Sequence, residues 1–141
     1  MKKIAVVYYS GTGNTEALAN ALVEGAQESG ASVKVISAGM FSSDMLDSYD
    51  AFAFGCPAMG SEALEDEVFE PMFESLLEHL AGRKVALFGS YGWGDGEWMR
   101  LWKETTVESG AILAAEPVIA LDTPDQNALE EAKALGVALA R

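Results

Sequence analysis

The 141-residue chain carries 22 Asp and Glu against 9 Lys and Arg, a formal net charge of -13, so it repels nucleic acid and anionic membranes and favours basic protein surfaces. Half of its residues are hydrophobic, which excludes a disordered tail, and the length is that of one domain, residues 1–141, able to bury its own core. Cys56 is the single cysteine, which excludes an intramolecular disulfide or a multi-cysteine metal site and points to a reducing compartment, the cytoplasm.

After Met1, Lys2 and Lys3 comes an apolar run from Ile4 to Tyr9. It is too short for a signal segment or a membrane span, and it reads as a strand buried on both faces of a parallel sheet. A Gly, Ser, Thr and Asn cluster from Ser10 to Asn14 leads into a helix over Thr15–Glu28, whose Leu18, Ala19, Leu22 and Ala26 share one face and which Gly30 closes. Val33–Ile36 is the next strand, followed by a helical stretch of barely two turns at Asp44–Tyr49. Then come a strand at Ala51–Gly55, a helix over Leu64–Leu80, a strand at Val85–Gly89 and a helix over Glu97–Ser109. A fifth strand runs from Ile112 to Leu121 with Pro117 interrupting it, and a terminal helix spans Asp125–Arg141 after Pro124. Strands that alternate with helices make an α/β doubly wound sheet, mostly parallel, because parallel neighbours need right-handed crossovers that cover both faces.

Ligands of such sheets sit beyond the carboxyl ends of the strands, so the loops after strands one, three and four belong together. The first (Ser10, Gly11, Thr12, Gly13, Asn14, Thr15) sets hydroxyls, an amide and backbone N–H groups at a helix N-terminus, which is an anion site. Glu16 stands where a dinucleotide fingerprint has its third glycine, and no lysine follows as in a triphosphate loop. Neutral donors and a helix dipole suit one terminal phosphomonoester better than a polyphosphate. The second loop (Cys56, Pro57, Ala58, Met59, Gly60, Ser61, Glu62) offers a thioether, a glycine and a carboxylate. The third (Ser90, Tyr91, Gly92, Trp93, Gly94, Asp95, Gly96) sets two aromatic rings among glycines that let a flat ligand come close. Trp93 follows no helical or strand periodicity and reads as a binding residue, whereas Trp98 and Trp102, four apart on a helix, read as core.

SGTGNTE at 10–16, GCPAMGSE at 55–62 and LFGSYGWGDGEW at 87–98 resemble, in order and spacing, the segments by which short-chain flavodoxins of fermentative anaerobes hold FMN. The resemblance spans nearly the whole chain and implies a flavodoxin-like five-stranded parallel sheet of order 2-1-3-4-5 with helices on both faces. It implies a low-potential one-electron carrier, not an enzyme, that shuttles noncovalently bound FMN between semiquinone and hydroquinone. By the same resemblance Ser10, Thr12, Thr15, Asn14 and the N–H groups of Gly11 and Gly13 hold the phosphate, Met59 and Trp93 flank the ring, and Glu62 accepts from its N3–H. The N–H groups from Gly92 to Asp95 serve the N1 and O2 edge, and the Gly60 peptide turns to offer a carbonyl to N5–H on reduction. Pro57, Ala58, Ser90 and Tyr91 complete the cradle. Partners would be redox proteins with basic docking faces, met transiently by a monomer, with no nucleic acid and no membrane.

A substrate-reducing flavoenzyme would need a substrate pocket, and no loop is longer than the motifs require. A phosphorylated receiver domain would need an acidic cluster after strand one, where Tyr8, Tyr9 and Ser10 stand. His79, among leucines on a helix, and Cys56 read as structural.

Overall fold

The computed structural model describes residues 1–9, 11, 13–60 and 62–141; the expectations placed on Ser10, Thr12 and Ser61 lie outside the described residues. Strand β1 (Lys3–Tyr8) is followed by helix α1 (Asn14–Glu28), β2 (Ser32–Ser37), β3 (Ala51–Gly55), α2 (Phe69–Leu76), β4 (Lys84–Tyr91) and α3 (Glu97–Glu108). Two short strands, β5 (Ile112–Leu113) and β6 (Val118–Leu121), and helix α4 (Gln126–Ala140) complete the order. All pairings are parallel and the strand order is β2-β1-β3-β4-β5, with β6 also on β4. The doubly wound order implied by the resemblance is therefore observed.

Alternation along the strands builds two cores of different character. Ile4 and Val6 of β1, Ala51 and Ala53 of β3, and Ala86 and Phe88 of β4 pack with Leu18 and Leu22 of α1 and Leu135 and Leu139 of α4. Ala5, Val7, Phe52, Phe54, Val85 and Leu87 face the other way, onto Phe69, Phe73, Trp98 and Trp102 of α2 and α3. Because both faces are covered, these strands are continuously apolar instead of alternating with polar residues. Small residues dominate the first face, and there α1 and α4 approach so closely that a Cβ at Gly25 or Gly136 would overlap the opposing helix backbone. On the second face the rings interlock, with Phe54 and Phe73 edge to face at 5.2 Å between centroids.

Three expectations are corrected. The single strand over Ile112–Leu121 is two strands, the first paired at the start of β4 (Lys84 with Ile112) and the second at its end (Phe88 with Val118). Pro117 has no N–H for the ladder, and Glu116 before it turns outward to Lys103 Nζ at 2.8 Å. The stretch Asp44–Tyr49 is a 3-10 turn over Ser43–Ser48, too short to nucleate an α-helix and held by Arg83, which donates to Leu46 O at 3.3 Å and Asp47 Oδ1 at 2.7 Å. The helix expected over Leu64–Leu80 starts only at Phe69, because the buried Glu65 carboxylate accepts from the N–H groups of Glu67, Val68 and Phe69 at 2.7–2.8 Å and so caps it. It ends at Leu76, with Leu77–His79 continuing as a 3-10 turn.

Candidate functional site

Beyond the carboxyl ends of β1, β3 and β4 the three glycine-rich loops meet. Backbone bonds tie their roots together: Tyr9 N–H donates to Gly55 O at 3.0 Å, Cys56 N–H to Phe88 O at 3.1 Å, and Ala58 N–H to Ser90 O at 2.9 Å. Thr15, at the start of α1, is buried and its Oγ1 lies 2.8 Å from Ser90 Oγ while accepting from Ser90 N–H at 3.3 Å. Thr15 and Ser90, both expected at the cofactor, thus join the first loop to the third from below.

The described glycines of the first loop face open space. Gly13 adopts φ 93 and starts α1 with no side-chain cap, and a Cβ on Gly11 or Gly13 would meet nothing within 4 Å. By helix geometry the N–H groups ahead of Ala17, whose own N–H donates to Gly13 O at 3.0 Å, have no acceptor within the helix. The open space and the positive end of the dipole coincide.

The second loop is a tight hairpin. Met59 and Ala63 exchange both backbone hydrogen bonds, at 2.8 and 3.0 Å, and the turn between them has Gly60 at φ 51 and Glu62 at φ 56. A left-handed glutamate costs about 1–2 kcal/mol, so something must hold it. Its carboxylate reaches the third loop: Oε1 accepts from Asp95 N–H at 2.9 Å and Gly96 N–H at 3.4 Å, and Oε2 from Glu97 N–H at 3.1 Å. Glu62 therefore caps α3, a role that reading along the chain does not disclose, since cap and helix are over thirty residues apart. A carboxylate has about four lone-pair positions, so one on Oε2 stays available for a further N–H donor. The Asp95 N–H, expected at the ring edge, is directed to Glu62 here.

The third loop presents Trp93, 63% exposed, and the second loop Met59, 40% exposed. Tyr91 lies half-buried against Trp98 with ring centroids 5.4 Å apart, and Trp98 Nε1 donates to Cys56 O at 3.3 Å, so the core tryptophan supports both loops. Arg100 clamps the loop's far end through Asp95 O at 3.0 Å and Asp95 Oδ1 at 3.1 Å. Asp122, in the left-handed region at φ 56, donates its N–H to Tyr91 O at 2.7 Å and closes the same loop from β6; nothing in its local sequence signals this. Pro57 and Ala58 are half-buried and Gly92 is exposed, all within the same loop cluster.

The electrostatics are one-sided. None of these loops carries a Lys or Arg, while Glu16, Glu62 and Asp95 are present. Burial pushes the Cys56 thiol up to about 12, so it stays protonated and unreactive beneath the site. Among the described residues no group of His, Cys, Asp and Glu is arranged to hold a metal ion, and no helix is long and apolar enough to cross a membrane.

A bare helix start, a neutral glycine-stripped loop and two exposed flat or polarizable side chains fit a phosphorylated planar heterocycle such as FMN, and a family model described as Flavodoxin matches residues 6–136. The chain belongs to the flavodoxin family. It is 47% identical over 138 residues to the flavodoxin of Megasphaera elsdenii, covering 98% of each, and 45% identical over 121 residues to that of Clostridium beijerinckii, covering 86% of this chain and 88% of the relative. The solution structure of two-electron reduced Megasphaera elsdenii flavodoxin superposes with a TM-score of 0.90 at 48% identity, covering 97% of this chain and 98% of that one. The protein is thus an FMN-based electron carrier and not an enzyme.

Proposed function

We propose that residues 1–141 act as a single FMN domain, with the phosphate on the α1 start at Gly11–Thr15, the ring between Met59 and Trp93, and its polar edge against Glu62 and the Gly92–Asp95 backbone. What supports this is the convergence of an open glycine turn at the α1 start with two exposed side chains, Met59 and Trp93, on loops at one end of the sheet. Bound FMN supplies reversible one-electron chemistry. The chain's own residues then set its energy. Trp93 and Met59 exclude water from the ring faces, which opposes added negative charge there. The acidic surface, net charge -13, acts in the same direction and favours a low potential. The free lone pair on Glu62 Oε2 can accept a ring N–H without giving up the α3 cap. Gly60, in open space, lets its peptide turn so that a carbonyl accepts a proton-bearing nitrogen.

Acidic loops with no cation suit brief encounters with basic faces of redox partners, and a monomer in the cytoplasm fits a carrier that must diffuse between them; a lone buried thiol suits a reducing compartment. The test is an anaerobic spectroelectrochemical titration of the FMN-loaded protein. Two one-electron steps resolved in potential are expected. A single two-electron wave would overturn the one-electron reading in favour of a substrate-reducing flavoprotein, and Trp93→Ala should weaken FMN binding about tenfold, as loss of one aromatic stacking partner does.

A further inference from the structure

A second concavity, of about 230 Å³, lies between the second loop, α2 and α3. Phe73, Trp98 and Trp102 form its floor, and Leu64 and Leu101 stand on its walls, Leu101 being 53% exposed. Glu62, Glu70 and Glu74 also line it, and no cation does. The first loop, Met59 and Trp93 take no part in it, so it is separate from the FMN cradle and adjoins it through Glu62, Ala63 and Trp98.

Charge around the cleft is segregated. The segment from Glu65 to Glu78 contains six carboxylates and no Lys, Arg or His. Helix α3 does carry two cations, yet Arg100 is held by Asp95 and Lys103 by Glu116, both lining a different concavity on the helix's other flank with Pro117 and Ile119. Trp102 is 3% exposed and its ring is fixed edge-on by Phe69 and Phe73, so the floor is rigid. Pockets that enclose a drug-sized molecule run to about 300–1,000 Å³, so this one is of a size for a single side chain.

We propose that this cleft is a docking notch for a basic protein partner: one aliphatic side chain of the partner seats on the two indole rings while flanking lysines or arginines meet Glu70 and Glu74. The proposal rests on the electron-carrier reading above. Complementarity of charge selects the partner's collar, and the apolar floor selects what it encloses. Through Glu62, an occupied notch lies one residue from both the α3 cap and the cofactor.

The test is a heteronuclear NMR titration of the FMN-loaded protein with three blocked peptides: Lys-Lys-Leu-Lys-Lys, Lys-Lys-Gly-Lys-Lys and Ser-Ser-Leu-Ser-Ser. Saturable shifts of the Trp98 and Trp102 indole N–H signals are expected with the first peptide, bound about fivefold tighter than either of the others. Leu101→Ser and the Glu70→Gln/Glu74→Gln pair should each weaken it about fivefold while FMN absorbance and affinity stay unchanged. Equal binding of the glycine peptide would mean diffuse charge attraction, and equal binding of the serine peptide a small apolar ligand; either overturns the notch. Indole shifts on dilution without peptide would assign the cleft to a second copy of the chain and overturn it too, as would the absence of any shift. FMN absorbance is read before the titration, so loss of the cofactor assignment is seen separately from loss of the notch.

Discussion

Helices α1 and α3 start alike and are finished differently. Each opens on a left-handed glycine, Gly13 at φ 93 and Gly96 at φ 89, with no cap from its own side chain. At α3 the Glu62 carboxylate arrives from another loop and takes three N–H groups. At α1 the described residues supply no side-chain cap, and the glycines of the adjoining loop open onto space. The same backbone device thus receives an acidic side chain across the fold at one helix and faces open space at the other, where we propose the phosphate binds. An anion is favoured where the protein withholds its own.

That contrast can be broken first at α3. Glu62→Ala should remove the borrowed cap and destabilise the apoprotein by about 1–2 kcal/mol in urea unfolding, with faster amide exchange at Asp95, Gly96 and Glu97 and none at the start of α1. Unchanged exchange there would mean that the carboxylate does not hold the helix. Helix α2 gives a third case, capped from within by Glu65. Burial pushes the Glu65 carboxyl up, but three backbone N–H donors outweigh it together and leave it below its ordinary value. A depressed folded value gives stability that is present above the unfolded value of about 4.3 and is lost as pH falls through the folded one. Unfolding free energy should therefore fall more as pH drops below about 5 in the parent than in Glu65→Gln. Parallel curves would remove Glu65 from the acid response. The smallest effect belongs to α1: inorganic phosphate at three times its Kd should stabilise the apoprotein by about 0.8 kcal/mol, and Gly13→Ala, which strains the left-handed start, should abolish that gain. A shift in melting temperature that survives the substitution would place the anion elsewhere.

Legibility in the sequence followed the range of the interactions. The two-sided burial expected for Ile4–Tyr9 is readable because a strand covered on both faces has no polar face to reveal; Ile4–Val7 are fully buried and Tyr8 and Tyr9 half-buried. Trp93 stood out as a ligand residue because its position had no periodicity, and it is exposed; Trp98 and Trp102 showed helical spacing and are buried. The start of α2 was misplaced by its helical composition from Leu64 onward, since a glutamate that caps the residues two to four ahead of it resembles one that belongs to the helix. Pro117 marked the right place, but an interruption and a split into two strands differ only in whether the chain returns to β4.

Readable along the chain were the alternation of strands and helices, the three glycine-rich loops that follow strands one, three and four, and the cation-free character of the first of them, because these depend on sequence neighbours and on side-chain chemistry. Tertiary contacts alone join Thr15 to Ser90 and Glu62 to α3, and they set an acid-lined apolar cleft beside the second loop. Those are contacts between residues tens of positions apart, and which partner a carboxylate or hydroxyl meets is set by strand order and packing, which local pattern does not encode.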